Sequence, residues 1–403
     1  MAGNSWLAAS QWLVAAERPP HLACIAPFEG HSDHLRETLC RGGIPSTMFS
    51  KMIKSTLAGR GQQEDDVAML ERDPNCREYW DDKRARIDRI QVPAYILGSF
   101  STLLHTIGSF RGFEEIPHQA KWIAVHATQE WYDLYSKART DDLHKFFDRY
   151  LKGIQNDWEK TPPVRLSILR YNKPAILDMP LDKLPWHEPF APGTTLQRLY
   201  LSHDKTMKPL NDGNPTTLEY KGVDLLEFAH TFQESTALVG PTKLVIHTAC
   251  PSQNDFDIYA QIRKRGSDGS ELQHINIPLE ALGVSSAEEV PHINPLRYLG
   301  PTGQLRASKR KLAPELRQKY WDTLSHDAEE PVIAGEIVRL EVWLWPTAIH
   351  FDAGEQLVLK VSGHSMSLPE FEMLLAEPEQ APAQIVHVGG DYDSYLEGVW
   401  LSQ

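Results

Sequence analysis

The chain has 403 residues, of which 41% are hydrophobic and 24% are charged, the composition of an ordinary globular protein with room for two domains. Its 54 acidic and 41 basic side chains leave a formal net charge of −13, which argues against nucleic-acid binding and against electrostatic binding to a membrane surface. The 4 cysteines lie far apart and form no Cys-x-x-Cys pair, so neither a zinc ribbon nor a disulfide framework is expected.

The N-terminal stretch is apolar but lacks the basic start that a secretory signal carries. Apolar runs are interrupted well before the roughly 18 residues that a transmembrane helix needs, so no such helix is predicted. We therefore expect a cytoplasmic protein.

The first part of the chain alternates between helical patterns and buried apolar runs. Residues 7–16 carry apolar side chains all round, which predicts a buried helix, and residues 141–152 predict an amphipathic helix. The apolar runs at 22–27, 92–98 and 122–126 predict buried strands. Strands that alternate with helices predict a parallel sheet with helical crossovers.

Beyond about residue 160, short runs with alternating side chains are separated by turns. Such runs occupy residues 243–248, 257–263, 338–344 and 356–361. This pattern predicts an antiparallel sandwich or jelly roll. The sequence thus predicts an α/β part at residues 1–165 and an all-β part at residues 166–403.

Gly3, Asn4 and Ser5 form the first half of a nucleophile elbow, Gly-x-Ser-x-Gly, in which Leu7 replaces the second glycine. In such an elbow the serine hydroxyl projects from a strained turn, and the N–H of the next residue, here Trp6, helps to hold the oxyanion. A Gly-x-Ser tripeptide by itself more often marks a serine that caps a helix.

Further stretches extend this motif through the chain. They are Gly3-Asn-Ser-Trp-Leu-Ala-Ala-Ser-Gln-Trp12, Arg18-Pro-Pro-His-Leu-Ala-Cys-Ile-Ala-Pro-Phe-Glu-Gly30, Arg41-Gly-Gly-Ile-Pro45, Val92-Pro93, Phe146-Phe-Asp-Arg-Tyr-Leu-Lys-Gly153 and Glu341-Val-Trp-Leu-Trp-Pro-Thr347. In these stretches and their order the chain resembles the cocaine esterase, α-amino-acid ester hydrolase and X-prolyl dipeptidyl aminopeptidase group of serine hydrolases. The resemblance implies an α/β-hydrolase domain with a helical cap at about residues 30–90, followed by a C-terminal jelly roll. No cofactor is expected.

The resemblance also implies a catalytic triad in the order Ser, Asp, His. Ser5 matches the nucleophile, and His126 stands where the general base belongs, with a buried structural histidine as the alternative. Thr102 occupies the position of the acid, and its hydroxyl cannot supply the charge that orients the imidazole. Either Glu130 or Asp133 serves instead, or the triad is incomplete.

Other candidate residues carry weaker signals. Phe28 and Trp131 are candidates for the substrate pocket, with core packing an equal alternative for Phe28. His31, Asp33 and His34 could be read as metal ligands, but a solvated loop is the expected interpretation because no second cluster lies nearby in the sequence. No metal is therefore expected.

Members of this group carry a long block before the elbow that holds the first strands and the second oxyanion donor. We therefore expect the chain to be N-terminally shortened, and its open sheet edge to be covered by a second copy or a partner. The predicted function is a serine hydrolase that acts on small esters or amides through an acyl-enzyme. The alternatives are an impaired remnant that binds or dimerises, and a hydrolase fold used for non-hydrolytic chemistry.

Overall fold

The computed structural model describes residues 1–57, 59–75 and 77–402. Cys24, Cys40 and Cys250 are buried free thiols, and Cys76 lies outside the described residues. Within these ranges no helix is both long and apolar enough to cross a membrane.

One six-stranded sheet organises the first part of the chain, and its strands are neighbours in sequence order. They are β1 (Ala2–Asn4), β2 (Ala26–Phe28), β3 (Ala94–Ser99), β4 (Lys121–His126), β5 (Val164–Ile168) and β6 (Ile176–Leu181). Strands β1 to β5 are parallel, and β6 is antiparallel to β5. Helices cover both faces of a parallel sheet, so β2 to β4 are buried along nearly their whole length, as continuous apolar runs predict.

The α-helices lie mostly between these strands. They are α1 (Trp6–Ala16), α2 (Met48–Leu57), α3 (Asp66–Arg72), α4 (Arg77–Asp82), α5 (Thr106–Glu115), α6 (Glu130–Leu134), α7 (Lys137–Lys152) and α8 (Leu279–Leu282). His34–Leu39 is a π-helical segment, and short 3-10 turns occupy Arg41–Gly43, Ile87–Arg89, Trp158–Lys160, Ala287–Glu289, Ala307–Lys309, Pro314–Leu316 and Glu372–Leu374. The helices α2 to α4, with the π-helical segment, form the predicted cap between β2 and β3.

Helix α1 is buried on one face only, whereas the sequence predicted a helix buried all round. Trp12 is fully buried against the sheet, while Leu13 is 47% and Val14 is 39% exposed. The exposed face lies on the helix that follows β1, the edge strand of the sheet. In the described ranges no further strand pairs with the outer side of β1.

The second part of the chain is an antiparallel sandwich, as predicted. One sheet contains β7 (Thr194–Leu201), β8 (Met207–Lys208), β9 (Thr216–Gly222), β11 (Thr236–Ala249), β17 (Val338–Phe351), β19 (Ala381–Val388) and β20 (Tyr395–Ser402). The other contains β10 (Leu225–Thr231), β12 (Asp257–Arg265), β13 (Glu271–Leu272), β16 (Thr302–Arg306) and β18 (Gln356–Ser362), and β14 (His274–Ile275) pairs with β15 (Arg297–Tyr298).

The first sheet continues past the predicted domain boundary at residue 165, which falls inside β5. Strand β6 extends this sheet to Leu181. Because β6 is an antiparallel edge strand preceded by a turn, its pattern resembles that of the sandwich strands that follow. A bridge between Leu169 and Ile349, together with one continuous hydrophobic core, joins the first sheet to the sandwich.

The substitution Phe146→Ala tests how helix α7 is anchored to the sheet. Phe146 is fully buried among Tyr95, Trp122 and Trp158, so its truncation should lower the free energy of unfolding by about 3–5 kcal/mol. Leu151→Ala is the matched control on the same helix, because Leu151 is 59% exposed and should cost less than about 0.5 kcal/mol. Urea unfolding measures both, and equal losses would contradict this packing.

Candidate active site

Ser5 lies in the sharp turn between β1 and α1, with φ 58° and ψ −118°. This is a strained conformation for a residue other than glycine. Its N–H donates to the carbonyl of Glu29 at 3.0 Å, which fixes the turn against the end of β2. A Cβ on Gly3 would lie 2.4 Å from the Cβ of Leu7, so the missing side chain of Gly3 allows the turn although Leu7 replaces the second glycine.

His105, immediately before α5, brings its imidazole to this serine. Its Nε2 lies 3.3 Å from the Ser5 Oγ, and its Nδ1 lies 3.1 Å from a carboxylate oxygen of Glu130. An ionised carboxylate only accepts hydrogen bonds, so Nδ1 donates to Glu130 and Nε2 is left to accept from Ser5. Ser5, His105 and Glu130 thus form one continuous hydrogen-bond chain.

Backbone and side-chain contacts hold the members of this chain in place. The carbonyl of Thr102 accepts the N–H groups of His105 at 3.0 Å and Thr106 at 3.1 Å, which shapes the turn that leads into α5. The amide of Asn4 donates to Glu130 at 3.0 Å. Thr102, at the position predicted for the acid, therefore supports the histidine through its backbone.

The two ionisable groups of the chain shift each other's pKa in opposite directions. Burial alone lowers the pKa of His105, but the hydrogen bond to Glu130 and its negative charge outweigh burial and raise it. Burial raises the pKa of Glu130, and the hydrogen bonds from His105 and Asn4 outweigh it and lower the pKa. The pair therefore favours imidazolium beside carboxylate, which is the state that a general base reaches after taking a proton.

His126, the predicted general base, makes a different contact. Its Nε2 is hydrogen-bonded to Glu29, whose other oxygen accepts from the Ser99 hydroxyl at 3.0 Å. Its Nδ1 is buried without a partner in the part of the chain that the structure describes. His126 is the last residue of β4, so the sheet fixes the direction of its side chain. The structure brings His105, and not His126, to Ser5.

The remaining predicted residues, Trp6, Trp131 and Phe28, lie at a helix start, on the surface and in the core. Trp6 is the first residue of α1, so its N–H has no acceptor within the helix and is available as an oxyanion donor. Trp131 is 48% exposed and donates from its indole to Asn4 at 2.8 Å. Phe28 is 4% exposed and packs in the hydrophobic core against Tyr95, as in the alternative in which its side chain packs in the core and does not line the substrate pocket.

Of the two carboxylates suggested as the acid, only Glu130 reaches a histidine by a hydrogen bond in the described residues. Asp133 forms an ion pair with Arg139 at 2.7 Å. Both follow the same strand, and the difference arises because Glu130 begins helix α6 while Asp133 lies one turn further along it.

The group His31, Asp33 and His34 is partly buried, although a solvated loop was expected. Asp33 is 3% exposed and pairs with Arg36 at 2.9 Å, and His34 is bound to Asp66 at 2.6 Å. The pair of His34 with Asp66 attaches the π-helical segment to α3, whereas the pair of Asp33 with Arg36 lies within the first turn of the segment. Both pairs explain why these charged side chains tolerate burial.

One set of side chains is spaced to hold a metal ion. The ligand atoms of Glu29, His105 and Glu130 all lie within 4.8 Å of one another. Because His105 uses both ring nitrogens for Ser5 and Glu130, an ion at this place would compete with the hydrogen-bond chain. The absence of a metal requirement stays a prediction.

Sequence reasoning missed His105, Glu29 and Asn4. A signal for His105 existed, since it follows the acid position Thr102 by three residues in the same loop after β3. Glu29 directly follows β2, and polar residues at the carboxyl ends of parallel strands are candidates for a site. Asn4 was visible only as the variable residue of the Gly-x-Ser motif.

Comparisons with known proteins agree with this architecture. Residues 1–129 match the family model described as X-Pro dipeptidyl-peptidase (S15 family), and residues 156–397 match the X-Pro dipeptidyl-peptidase C-terminal non-catalytic domain. A Mycobacterium bovis protein provisionally named a serine esterase is 25% identical over 252 residues, which cover 56% of this chain and 36% of that protein. The chain thus spans little more than a third of the length of this curated relative.

Solved structures resemble the whole chain. A CocE/NonD family hydrolase from Staphylococcus aureus is 27% identical with a TM-score of 0.88, and the match covers 99% of this chain and 71% of that one. An aminopeptidase from a marine sediment Thaumarchaeota archaeon has a TM-score of 0.69 at 13% identity, with 100% of this chain and 76% of that one covered, a likeness in fold alone.

The raised pKa of His105 can be tested by NMR titration of the ¹⁵N-histidine-labelled protein. His105 should keep its second proton above pH 6.5, the ordinary value, and Glu130→Gln should move its midpoint downward because the negative charge is removed. His31 is the internal control: burial and its histidine neighbours lower its pKa to about 3, so it should stay neutral above pH 5. A His105 midpoint below 6.5, or one unchanged in Glu130→Gln, would contradict the pairing.

Proposed function

Because the chain belongs to the X-Pro dipeptidyl-peptidase (S15) family, we propose that it is a serine hydrolase with Ser5 as nucleophile, His105 as general base and Glu130 as the orienting acid. The observation that carries the proposal is the hydrogen-bond chain from Ser5 through His105 to Glu130, next to a strained elbow. Its relatives indicate a hydrolase of the CocE/NonD or X-Pro peptidase-like kind, and the acyl-enzyme mechanism and the substrate are proposed on that basis.

The first half of the reaction forms an acyl-enzyme. The Ser5 Oγ attacks the substrate carbonyl carbon while its proton moves to the Nε2 of His105. The carbonyl oxygen becomes an oxyanion, and the Trp6 N–H donates to it. Glu130 stabilises the imidazolium of His105. The intermediate collapses when the bond to the leaving alcohol or amine breaks and His105 returns its proton to that group.

The second half releases the acid. Water gives a proton to the Nε2 of His105 and attacks the acyl carbon, and the bond from that carbon to the Ser5 Oγ then breaks. His105 returns the proton to Ser5, so the enzyme is regenerated. Because only neutral His105 can accept a proton, activity should increase with pH through the raised pKa of this histidine.

We propose small esters or amides as the substrates. Trp6 and Trp131 support this choice, because they are 46% and 48% exposed, Trp6 directly follows the nucleophile in the chain and Trp131 donates to Asn4, which directly precedes it. Their apolar rings suit a small apolar group rather than a charged polymer.

Labelling with a fluorophosphonate probe tests the assignment of roles. Ser5→Ala should abolish labelling, because the nucleophile is lost. His105→Gln should slow labelling about 10²- to 10⁴-fold, the usual contribution of a general base.

His126→Gln is the matched control for this experiment, since it alters a buried histidine that is bound to Glu29 instead of Ser5. A thermal unfolding experiment first checks that His126→Gln is folded. Its labelling rate should then be close to that of the wild type. Slow labelling in His126→Gln with normal labelling in His105→Gln would overturn the assignment.

A second candidate property is association through the open edge of β1, and we propose a second copy of the chain as the partner. The backbone groups on the outer side of β1 lack a strand partner in the described residues, and Leu7 on the adjoining helix is 64% exposed. Two identical edges can satisfy each other's backbone groups around a two-fold axis.

Light scattering after size-exclusion chromatography measures this association. The wild type should elute as a dimer, and Leu13→Glu should shift it to the monomer because a charge enters the exposed face of α1. Leu151→Glu, an equally drastic change at a 59% exposed site on α7, should leave the dimer intact. A wild type that is monomeric at every concentration would contradict the proposal.

A further inference from the structure

A cavity of about 120 Å³ lies between the cap and the sandwich. Ser5, His105 and Glu130 do not line it. Three tryptophans, Trp321, Trp343 and Trp345, contribute apolar walls. A cavity needs only about 10–15 Å³ to hold one water molecule, so this one has room for a small organic molecule.

The guanidinium of Arg41 lines this cavity and has hydrogen-bond partners, but no carboxylate partner among the described residues. It stacks on the ring of Trp345 at 3.7 Å and donates to the hydroxyl of Thr302 at 2.9 Å and to the carbonyl of the same residue. In the part of the chain that the structure describes, no carboxylate forms an ion pair with Arg41. Burial lowers the pKa of Arg41 to about 9, as expected for a cation whose charge is poorly compensated.

The other arginines that line the cavity each have a carboxylate partner. Arg36 pairs with Asp33 at 2.9 Å, and Arg84 and Arg111 pair with Glu115 at 3.0 Å and 2.8 Å. Among the arginines that line the cavity, Arg41 is therefore the one without a carboxylate partner in the described residues.

The carboxylates that line the cavity do not compensate Arg41. Asp322 pairs with Arg317 at 3.3 Å, and Glu341 pairs with Lys243 at 3.5 Å. Glu37 accepts two hydrogen bonds from Ser32, and burial raises its pKa to about 7.

Two of the tryptophans that line the cavity have indole nitrogens without a hydrogen-bond partner in the described part of the chain. The Nε1 atoms of Trp321 and Trp343 are buried and, among the described residues, have no hydrogen-bond partner. Trp321 is 6% exposed. The two rings therefore contribute apolar surface to the cavity without a hydrogen bond from the indole nitrogen.

The Arg-Gly-Gly stretch that begins at Arg41 explains how this cation reaches the cavity. A Cβ on Gly42 would lie 2.0 Å from the carbonyl oxygen of Gln304, and Gly42 and Gly43 have φ of 63° and 78°. The cap backbone can therefore rest directly on β16 only with glycine at these positions. This contact holds Arg41 between the cap and the sandwich.

We propose that this cavity is a second ligand site that binds a small planar organic carboxylate. The carboxylate accepts from the Arg41 guanidinium, and the planar part of the ligand packs against the tryptophan rings. Guanidinium groups bind carboxylates with charge-assisted hydrogen bonds, and aromatic walls favour a flat ligand. The site does not depend on the chemistry of Ser5.

Isothermal titration calorimetry of the full chain with nicotinate tests this proposal, with nicotinamide as the neutral analogue of the same shape. Nicotinate should bind saturably with one site per chain, and nicotinamide should bind at least about tenfold more weakly because it lacks the charge. Arg41→Gln should weaken nicotinate binding about tenfold or more.

Two variants control for folding and for location. Trp321→Phe replaces the indole by a smaller ring, so the loss of stacking surface should weaken nicotinate binding even if Arg41→Gln does not fold. Arg86→Gln, on the cap but outside the cavity, and Ser5→Ala should both bind as the wild type does.

Each contrary result overturns the proposal. These results are no saturable nicotinate binding, equal binding of nicotinamide, undiminished binding in folded Arg41→Gln or in Trp321→Phe, and loss of binding in Ser5→Ala.

Discussion

The parallel pairing of β1 to β4 is the constraint on which the site depends. Parallel neighbours end at the same edge of a sheet, and a different polar residue follows each of these strands within a few positions. Ser5 follows β1, Glu29 follows β2, His105 follows β3 and Glu130 follows β4. Residues separated by as many as 125 positions along the chain, Ser5 and Glu130, thereby join one hydrogen-bond chain.

The histidine and the carboxylate follow β3 and β4 in the reverse of the expected order. The family resemblance led us to expect an acid after β3 and a histidine after β4, and the structure has His105 after β3 and Glu130 after β4. The two loops are direct neighbours, since β3 and β4 pair along their whole length. A triad is defined by the contacts among its members, so the proposed base, His105, and the proposed acid, Glu130, can meet although each follows the other strand.

The sequence predicted more of the fold than of the residues in the candidate site. Apolar runs located β3 and β4 and overlapped β2 at residues 26–27, alternating runs located β11, β12, β17 and β18, and the G-x-S motif located the strained turn. Spacing in the sequence could not show which histidine contacts Ser5. That depends on where the loop after β3 carries His105, whereas His126 is fixed within β4. Nor could spacing predict that His126 pairs with Glu29, because this contact joins the ends of β2 and β4, which are separated in the sheet by β3.

The most direct test of the central claim is a crystal structure of the chain with Ser5 phosphonylated. In this account, the Nε2 of His105 lies within hydrogen-bond distance of the Ser5 Oγ, its Nδ1 remains on Glu130, and His126 stays on Glu29. An adduct in which His126 has left Glu29 and contacts Ser5, with His105 turned away, would contradict the account.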